Sequence, residues 1–208
     1  MQPHRRAWLV STTIVVAALT LSLPARAQLG RPPELAALLS LISHDPSAPA
    51  KYTADVKLHV HLRVFPWISV TLHGNEAYRH PGIYHFIFRG VPKAVDRFSD
   101  LDYDLGDAST WPARYDISLL SPETPTDDPV VRLLPKKRGM VQTLDVTVDK
   151  TSGHILKAVW KRFDGGKITL VQHYDAVGTH EIVSKQDAAI RIRGMKVDLV
   201  AEYSAFNL

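Results

Sequence analysis

The sequence predicts a mainly β fold built on one large curved antiparallel sheet, with a short amphipathic helix ahead of it. Three observations predict it. From Lys51 to Val64, apolar and polar residues alternate without a break. Tyr52, Ala54, Val56, Leu58, Val60, Leu62 and Val64 share one face, and Lys51, Thr53, Asp55, Lys57, His59, His61 and Arg63 share the other. Period two sustained over this length is a strand with one face buried and one wet. The runs that follow keep their apolar residues in matching register. Turn sequences at Asp149-Lys150-Thr151-Ser152-Gly153 and Asp164-Gly165-Gly166 then punctuate further alternating runs.

Taken in order, the chain opens on His4, Arg5 and Arg6, an apolar run from Trp8 to Leu23, and Pro24-Ala25-Arg26-Ala27. These are the basic, apolar and small-x-small regions of a secretory signal peptide, with cleavage expected after Ala27. The run is too short for a spanning helix and stops at a proline. A retained anchor is the alternative. Residues 1–27 are thus expected to be a signal peptide and 28–208 a single domain, destined for the periplasm. The remaining roughly 180 residues suffice for one sizeable core.

Pro33 to His44 places Leu35, Leu38, Leu39 and Ile42 at helical spacing, and Asp45-Pro46 stops the helix. After the long strand, Phe65-Pro66-Trp67 turns the chain into a return strand carrying Ile68, Val70 and Leu72. Setting Val64 against Ile68 places Leu62 against Val70, Val60 against Leu72 and His59 against His73. Gly74 reads as a bulge or bend. A turn at Arg79-His80-Pro81-Gly82 leads to a strand from Ile83 to Phe88. Pairing Tyr78 with Tyr84 brings Phe86 and Phe88 onto the face of Val70 and Leu72. Strands this long suit a large curved sheet rather than a small sandwich.

The stretch from Val91 to Asp128 is irregular. Asp96, Asp100, Asp102, Asp104 and Asp107 interrupt it, a strand spans Tyr115 to Leu120, and Ser121 to Pro129 is a proline-rich loop. Strands are expected at Val130 to Pro135, Thr143 to Val148, Ile155 to Phe163 and Lys167 to Tyr174. Closing strands are expected at Ala189 to Arg193 and Lys196 to Tyr203.

Composition narrows the function. The chain has 208 residues, a net charge of +4 and no cysteine. Disulfides, a thiol nucleophile and thiolate metal sites are excluded. Lys136-Lys137-Arg138 is the longest basic run. The scattered positive charge suits an anionic surface such as phospholipid headgroups, and equally plain solubility. Nothing resembles a nucleic-acid-binding motif.

His59, His61 and His73 share the wet face of the first hairpin, and three imidazoles can hold Zn²⁺. Against that stands the ordinary occurrence of histidine on exposed strands, with no carboxylate placed to orient the rings. No Gly-x-Ser-x-Gly elbow occurs. Asp100, Asp102 and Asp104 lack the glycine and closing glutamate of a calcium loop. Trp67, Trp111 and Trp160 suit either a cavity mouth or simple packing.

Gly74, His80-Pro81 and Phe86, within the run from Gly74 to Phe86, carry a resemblance. So do Leu133-Leu134-Pro135-Lys136, Val146-Thr147-Val148-Asp149, Thr151-Ser152-Gly153-His154-Ile155 and Asp164-Gly165-Gly166. With the helix and first strand, they make most of Pro33 to Tyr203 similar to the lipoprotein-sorting carrier superfamily, the LolA/LolB-like proteins. The resemblance implies an unclosed β-barrel, a helical lid and an apolar cavity for acyl chains, with no catalysis and no cofactor. His80 stands where the family has an arginine before the turn proline, with Arg79 beside it. Arg89 to Trp111 replaces the family's Asp-Gly and aromatic segment after the third strand.

The expected function is a periplasmic, non-catalytic carrier that shields acyl chains of a lipid or lipoprotein. The cavity is assigned to Val56, Leu58, Val60, Leu62, Val70, Leu72, Tyr84, Phe86 and Phe88. Lid contacts are assigned to Leu35, Leu38, Leu39, Ile42, Arg79 and His80. The partners would be a lipid or acylated lipoprotein, with transient membrane or envelope-protein contact and no nucleic acid. Two alternatives stand beside it: an envelope sensor or adaptor that binds a protein segment with the same fold, and a metal-dependent hydrolase using His59, His61 and His73.

Overall fold

The change of period at Lys51 divides the molecule into one helix and a sheet, seen in a computed structural model. It describes residues 33–44, 47–63, 67–80, 83–89, 105, 107–120 and 128–208. Helix α1 (Pro33–Ser43) precedes β1 (Lys51–Leu62), β2 (Ser69–Arg79) and β3 (Ile83–Phe88). A 3-10 turn (Ala108–Thr110) and the one-turn helix α2 (Trp111–Arg114) follow, then β4 (Tyr115–Leu120) and β5 (Val130–Pro135). The chain ends in β6 (Val141–Val148), β7 (Ile155–Arg162), β8 (Lys167–Val177), β9 (His180–Ile192) and β10 (Met195–Asn207). The expected signal peptide and the aspartates from Asp96 to Asp104 lie outside the described residues.

The strands form one antiparallel sheet in the order β3-β2-β1-β10-β9-β8-β7-β6-β5-β4. Two meanders, β1 to β3 and β4 to β10, are joined by the pairing of β1 with β10, which sets Val56 against Tyr203 and Val60 against Leu199. Strands β3 and β4 are the two edges and do not pair with each other, so the barrel is unclosed. The fold is the mainly β half-barrel with a helical element that the sequence implied.

The alternation in β1 is realised as burial of Tyr52, Ala54, Val56 and Val60 against exposed Lys51, Thr53, Asp55 and Lys57. Leu35, Leu38 and Leu39 of α1 sit in one buried cluster with Val60, Leu72, Val131, Leu133, Leu144, Val146, Trp160 and Val197. Trp111 is 0 % exposed in that cluster, and its indole N–H donates to the Leu105 carbonyl at 2.7 Å. Trp111 and Trp160 are therefore packing residues, while Trp67 stands 75 % exposed. Burying aromatic and branched side chains at about 25 cal/mol per Å² makes this cluster the main source of stability.

The first hairpin departs from the expected register by two residues. Val60 faces Val70, Leu58 faces Leu72 and His61 faces Ser69, and the Leu62 N–H donates to the Ile68 carbonyl at 2.8 Å. Alternation fixes which face a residue occupies but not the step along it, because a two-residue slip keeps every apolar side chain inside. His59 consequently faces Thr71, and His73 faces Lys57. The second hairpin has the expected register, Tyr78 against Tyr84.

Gly74 is not a bulge, since both ladders run through it without a shift. Its role is close approach: a methyl there would lie 2.6 Å from Phe88 Cδ1 and 2.4 Å from the Ile87 carbonyl oxygen. Strands β4 and β5 lie where expected, and β7 stops at Arg162, one residue early. The larger error is at β8 to β10. These strands extend to Val177, back to His180 and on to Asn207. Ser184, Lys185, Gln186 and Asp187 blur the alternation there, and pairing on both sides supplies the order that apolar pattern does not. Among the described residues no helix is long and apolar enough to cross a membrane.

Candidate functional site

The concave face has two regions of different chemistry. Beneath α1 it is filled by the chain's own side chains. Toward the start of β1, the residues facing inward become aromatic. Tyr52 on β1 stacks on Tyr78 of β2 with ring centroids 4.9 Å apart, and Tyr78 meets Tyr84 of β3 at 5.0 Å. Along β3, Tyr84, Phe86 and Phe88 follow at 6.4 and 6.2 Å with nearly parallel planes. Phe206 adds an edge-on contact to Tyr52 at 5.8 Å. It reaches this face because β10 carries an extra residue opposite Ala54, with Ala205 at a φ of 51°. That bulge turns both Tyr203 and Phe206 inward.

Glu76 lies within this group. It faces Ala54 on one side and Phe86 on the other, and it is only 2 % exposed. The Tyr52 hydroxyl donates to its Oε1 at 3.4 Å, and its Oε2 has no hydrogen-bond partner. Burial pushes the Glu76 carboxyl up to about 7, and the Tyr52 hydroxyl offsets this only in part. Burial also raises Tyr52 and Tyr203, with the neighbouring carboxylate adding to the effect. A glutamate at an apolar-face position is a costly arrangement, since ionised carboxylates are almost never fully buried unpaired.

A cleft of about 150 Å³ opens between these rings and the end of α1, lined by Ile42, Tyr52, Tyr78, His80, Tyr84 and Tyr174 among others. Its far wall is a polar tie. His154 is buried and stacks on Tyr174 at 4.1 Å. Its Nε2 lies 3.1 Å from Ser47 Oγ and its Nδ1 3.6 Å from Glu181 Oε2. The His180 Nδ1–H donates to the Ser47 carbonyl at 2.9 Å. Gly153, at a φ of 83°, seats Leu41 of α1 so closely that a methyl would come within 2.7 Å of it. On the outer face of the sheet, across the β1–β2 ladder from Tyr52 and Tyr78, a hollow of about 480 Å³ is bounded by Lys51, Arg79, His85 and Leu208.

The assigned cavity residues divide between the two regions. Val56, Val60 and Leu72 are buried, and Leu58, Leu62, Val70 and Phe88 are half-buried against the clusters. Tyr84 and Phe86 remain 46 % and 43 % exposed. Of the assigned lid contacts, Leu35, Leu38 and Leu39 are core residues, Ile42 and His80 line the cleft, and exposed Arg79 borders the outer hollow. Tyr52, Glu76, Tyr78, Tyr203, Phe206 and His154 were not singled out by sequence reasoning. Glu76 left a legible signal, a charge at the inward position between Leu72, Gly74 and Tyr78.

The three histidines do not converge. His59 Nδ1 lies 3.0 Å from Thr71 Oγ1, and its Nε2 lies 3.8 Å from Glu202. Among the described residues, no group of three or more histidine, aspartate or glutamate side chains is arranged to hold a metal ion.

The sequence matches no family model and no curated protein. Solved structures do match the fold. A DUF1329 family protein from Desulfovibrio piger aligns with a TM-score of 0.60 and 12 % identity, over 84 % of this chain and 92 % of that one. A domain from Vibrio parahaemolyticus ascribed to outer membrane lipoprotein sorting aligns with a TM-score of 0.59 and 12 % identity, over 81 % and 91 %. A LolA superfamily protein from Nitrosomonas europaea aligns at 0.49 with 11 % identity, over 83 % and 92 %. The unclosed ten-stranded sheet with its helix is thus a fold shared with the Desulfovibrio piger protein and the Vibrio parahaemolyticus domain.

Proposed function

We propose that this chain is a non-catalytic binding protein or carrier of the periplasm, and that it shields acyl chains of a lipid or lipoprotein on its aromatic rim. The observation that carries this reading is the continuous ring series on the concave face, whose members Tyr84 and Phe86 stay more than 40 % exposed. Large rings left in water beside a buried apolar face mark a surface that gains by being covered. The fold shared with a lipoprotein-sorting domain supports it, and the secretory pattern of residues 1–27 supports the location.

The cleft of about 150 Å³ falls below the roughly 300 Å³ of the smaller ligand sites, whereas the outer hollow of about 480 Å³ falls within their range. In this reading an acyl chain enters along β3 and widens the cleft by displacing the exposed Tyr84 and Phe86 rings, while the hollow on the outer face stays separate, across the β1–β2 ladder. Helix α1 keeps the rest of the face filled, so the ligand occupies the rim and not the whole half-barrel. A second reading, the binding of an extended protein segment, is favoured by β3 itself. It is an edge strand, and it exposes Ile87 on one face and Phe86 on the other.

The test is extraction of the mature protein, purified without detergent from a Gram-negative host, followed by mass analysis of the extract. Acylated molecules bound near one per chain, and lost in Phe86→Asp, are the expected result. A lipid-free protein that also leaves undecanoate-based fluorescent probes in solution would end the acyl-chain reading.

A further inference from the structure

We propose that Glu76 and the rings around it recognise an organic ammonium group, carried on the amphiphile that the rim receives. The inference rests on the carrier reading for the tail and on Glu76 alone for the head. By register the carboxylate has Tyr78 beside it on β2, Tyr52 diagonal on β1, and Tyr84, Phe86 and Phe88 across or diagonal on β3. Its neighbours toward β1 and along β2 are Ala54 and Gly74, the smallest side chains available.

A buried acid at 2 % exposure with one oxygen unpartnered calls for a complement. Among the described residues no lysine, arginine or histidine nitrogen pairs with it. In its ionised form the carboxyl thus has no cationic complement among the described residues. A bare metal ion would need more oxygen ligands than one carboxylate supplies. A guanidinium needs an open plane against both oxygens, and by register the ring residues Tyr78, Tyr84 and Phe86 crowd the carboxylate. An ammonium needs a carboxylate oxygen and the negative faces of aromatic rings; the rings are in place, and the unpartnered Oε2 supplies the anion once the carboxyl has lost its proton. Tyr52, Tyr78 and Tyr84 also line the cleft, so these rings separate Glu76 from the open space. Admission requires Tyr84, on the exposed edge strand, to swing aside.

The experiment measures binding of n-decylammonium, n-decanol, n-decanoate and tailless methylammonium to the mature protein by calorimetry, each below its aggregation limit. Decylammonium should bind about tenfold more tightly than decanol. In Glu76→Gln that ratio should fall to near one with decanol affinity unchanged. Tyr84→Leu should reduce the ratio without abolishing tail binding. Decanol binding with no ammonium preference, or a preference that survives Glu76→Gln, overturns the inference and leaves the carrier reading intact. Glu76-dependent binding of methylammonium with no binding of any decyl compound upholds the head site and overturns the carrier reading. Binding of none of the four overturns both.

Discussion

At the scale of single residues, Glu76 and Trp111 show opposite ways of occupying an interior. Trp111 has its one polar atom satisfied by the Leu105 carbonyl and the rest of its surface packed. Trp111→Ala should therefore cost about 3–5 kcal/mol, read as a lowered urea midpoint with unchanged slope. Glu76 has an unpartnered oxygen, and its carboxyl titrates near 7 in place of the usual 4.5. A raised carboxyl holds its proton more tightly in the folded chain. Its contribution is thus favourable below the unfolded value and is lost as pH rises through about 7. Unfolding titrations should show the wild type losing about 3 kcal/mol relative to Glu76→Gln between pH 5 and 8. A pH-independent difference between the two would contradict the burial account.

At the scale of elements, α1 is held by packing and by a few specific contacts at its C-terminal end. Leu35, Leu38 and Leu39 enter the core, Leu41 rests on Gly153, and the connection after α1 is tied through Ser47 to His154 and His180. Gly153→Ala meets both a positive φ and a close contact, so it should destabilise by more than about 1 kcal/mol and loosen α1. Faster amide exchange across residues 35–42, with the β5 to β7 core still protected, is the expected reading. The edge strand β3 behaves differently. It has one pairing partner and carries exposed rings, so Phe86→Ser, which adds no charge across from Glu76, should lower the unfolding midpoint only slightly while weakening probe binding.

At the scale of the whole molecule, β1 and β10 join the two meanders. Their ladder runs from Leu62 against Val197 to Thr53 against Asn207. A chain ending at Gly194 loses that ladder and the partner of β9 together, and should show no cooperative unfolding transition. This closure brings Tyr203 and Phe206 beside Tyr52, so the ring series of β1 to β3 gains its β10 members only when β1 and β10 have paired.

The sequence by itself determined the mainly β class, helix α1, the inward faces of β1 to β3 and the turns at Gly153 and Gly165. Each of these depends on local periodicity or turn chemistry, which a chain displays before it folds. It placed Val56, Val60, Leu72, Tyr84 and Phe86 on the correct face, yet it did not show which would be filled by α1 and which would remain in water. Tertiary structure alone decided the two-residue step in the first hairpin, the long β9 and β10, and the gathering of Tyr52, Glu76, Tyr78 and Phe206 into one site. Those outcomes depend on pairing between distant strands, and alternation is blind to any shift that keeps the same face inward.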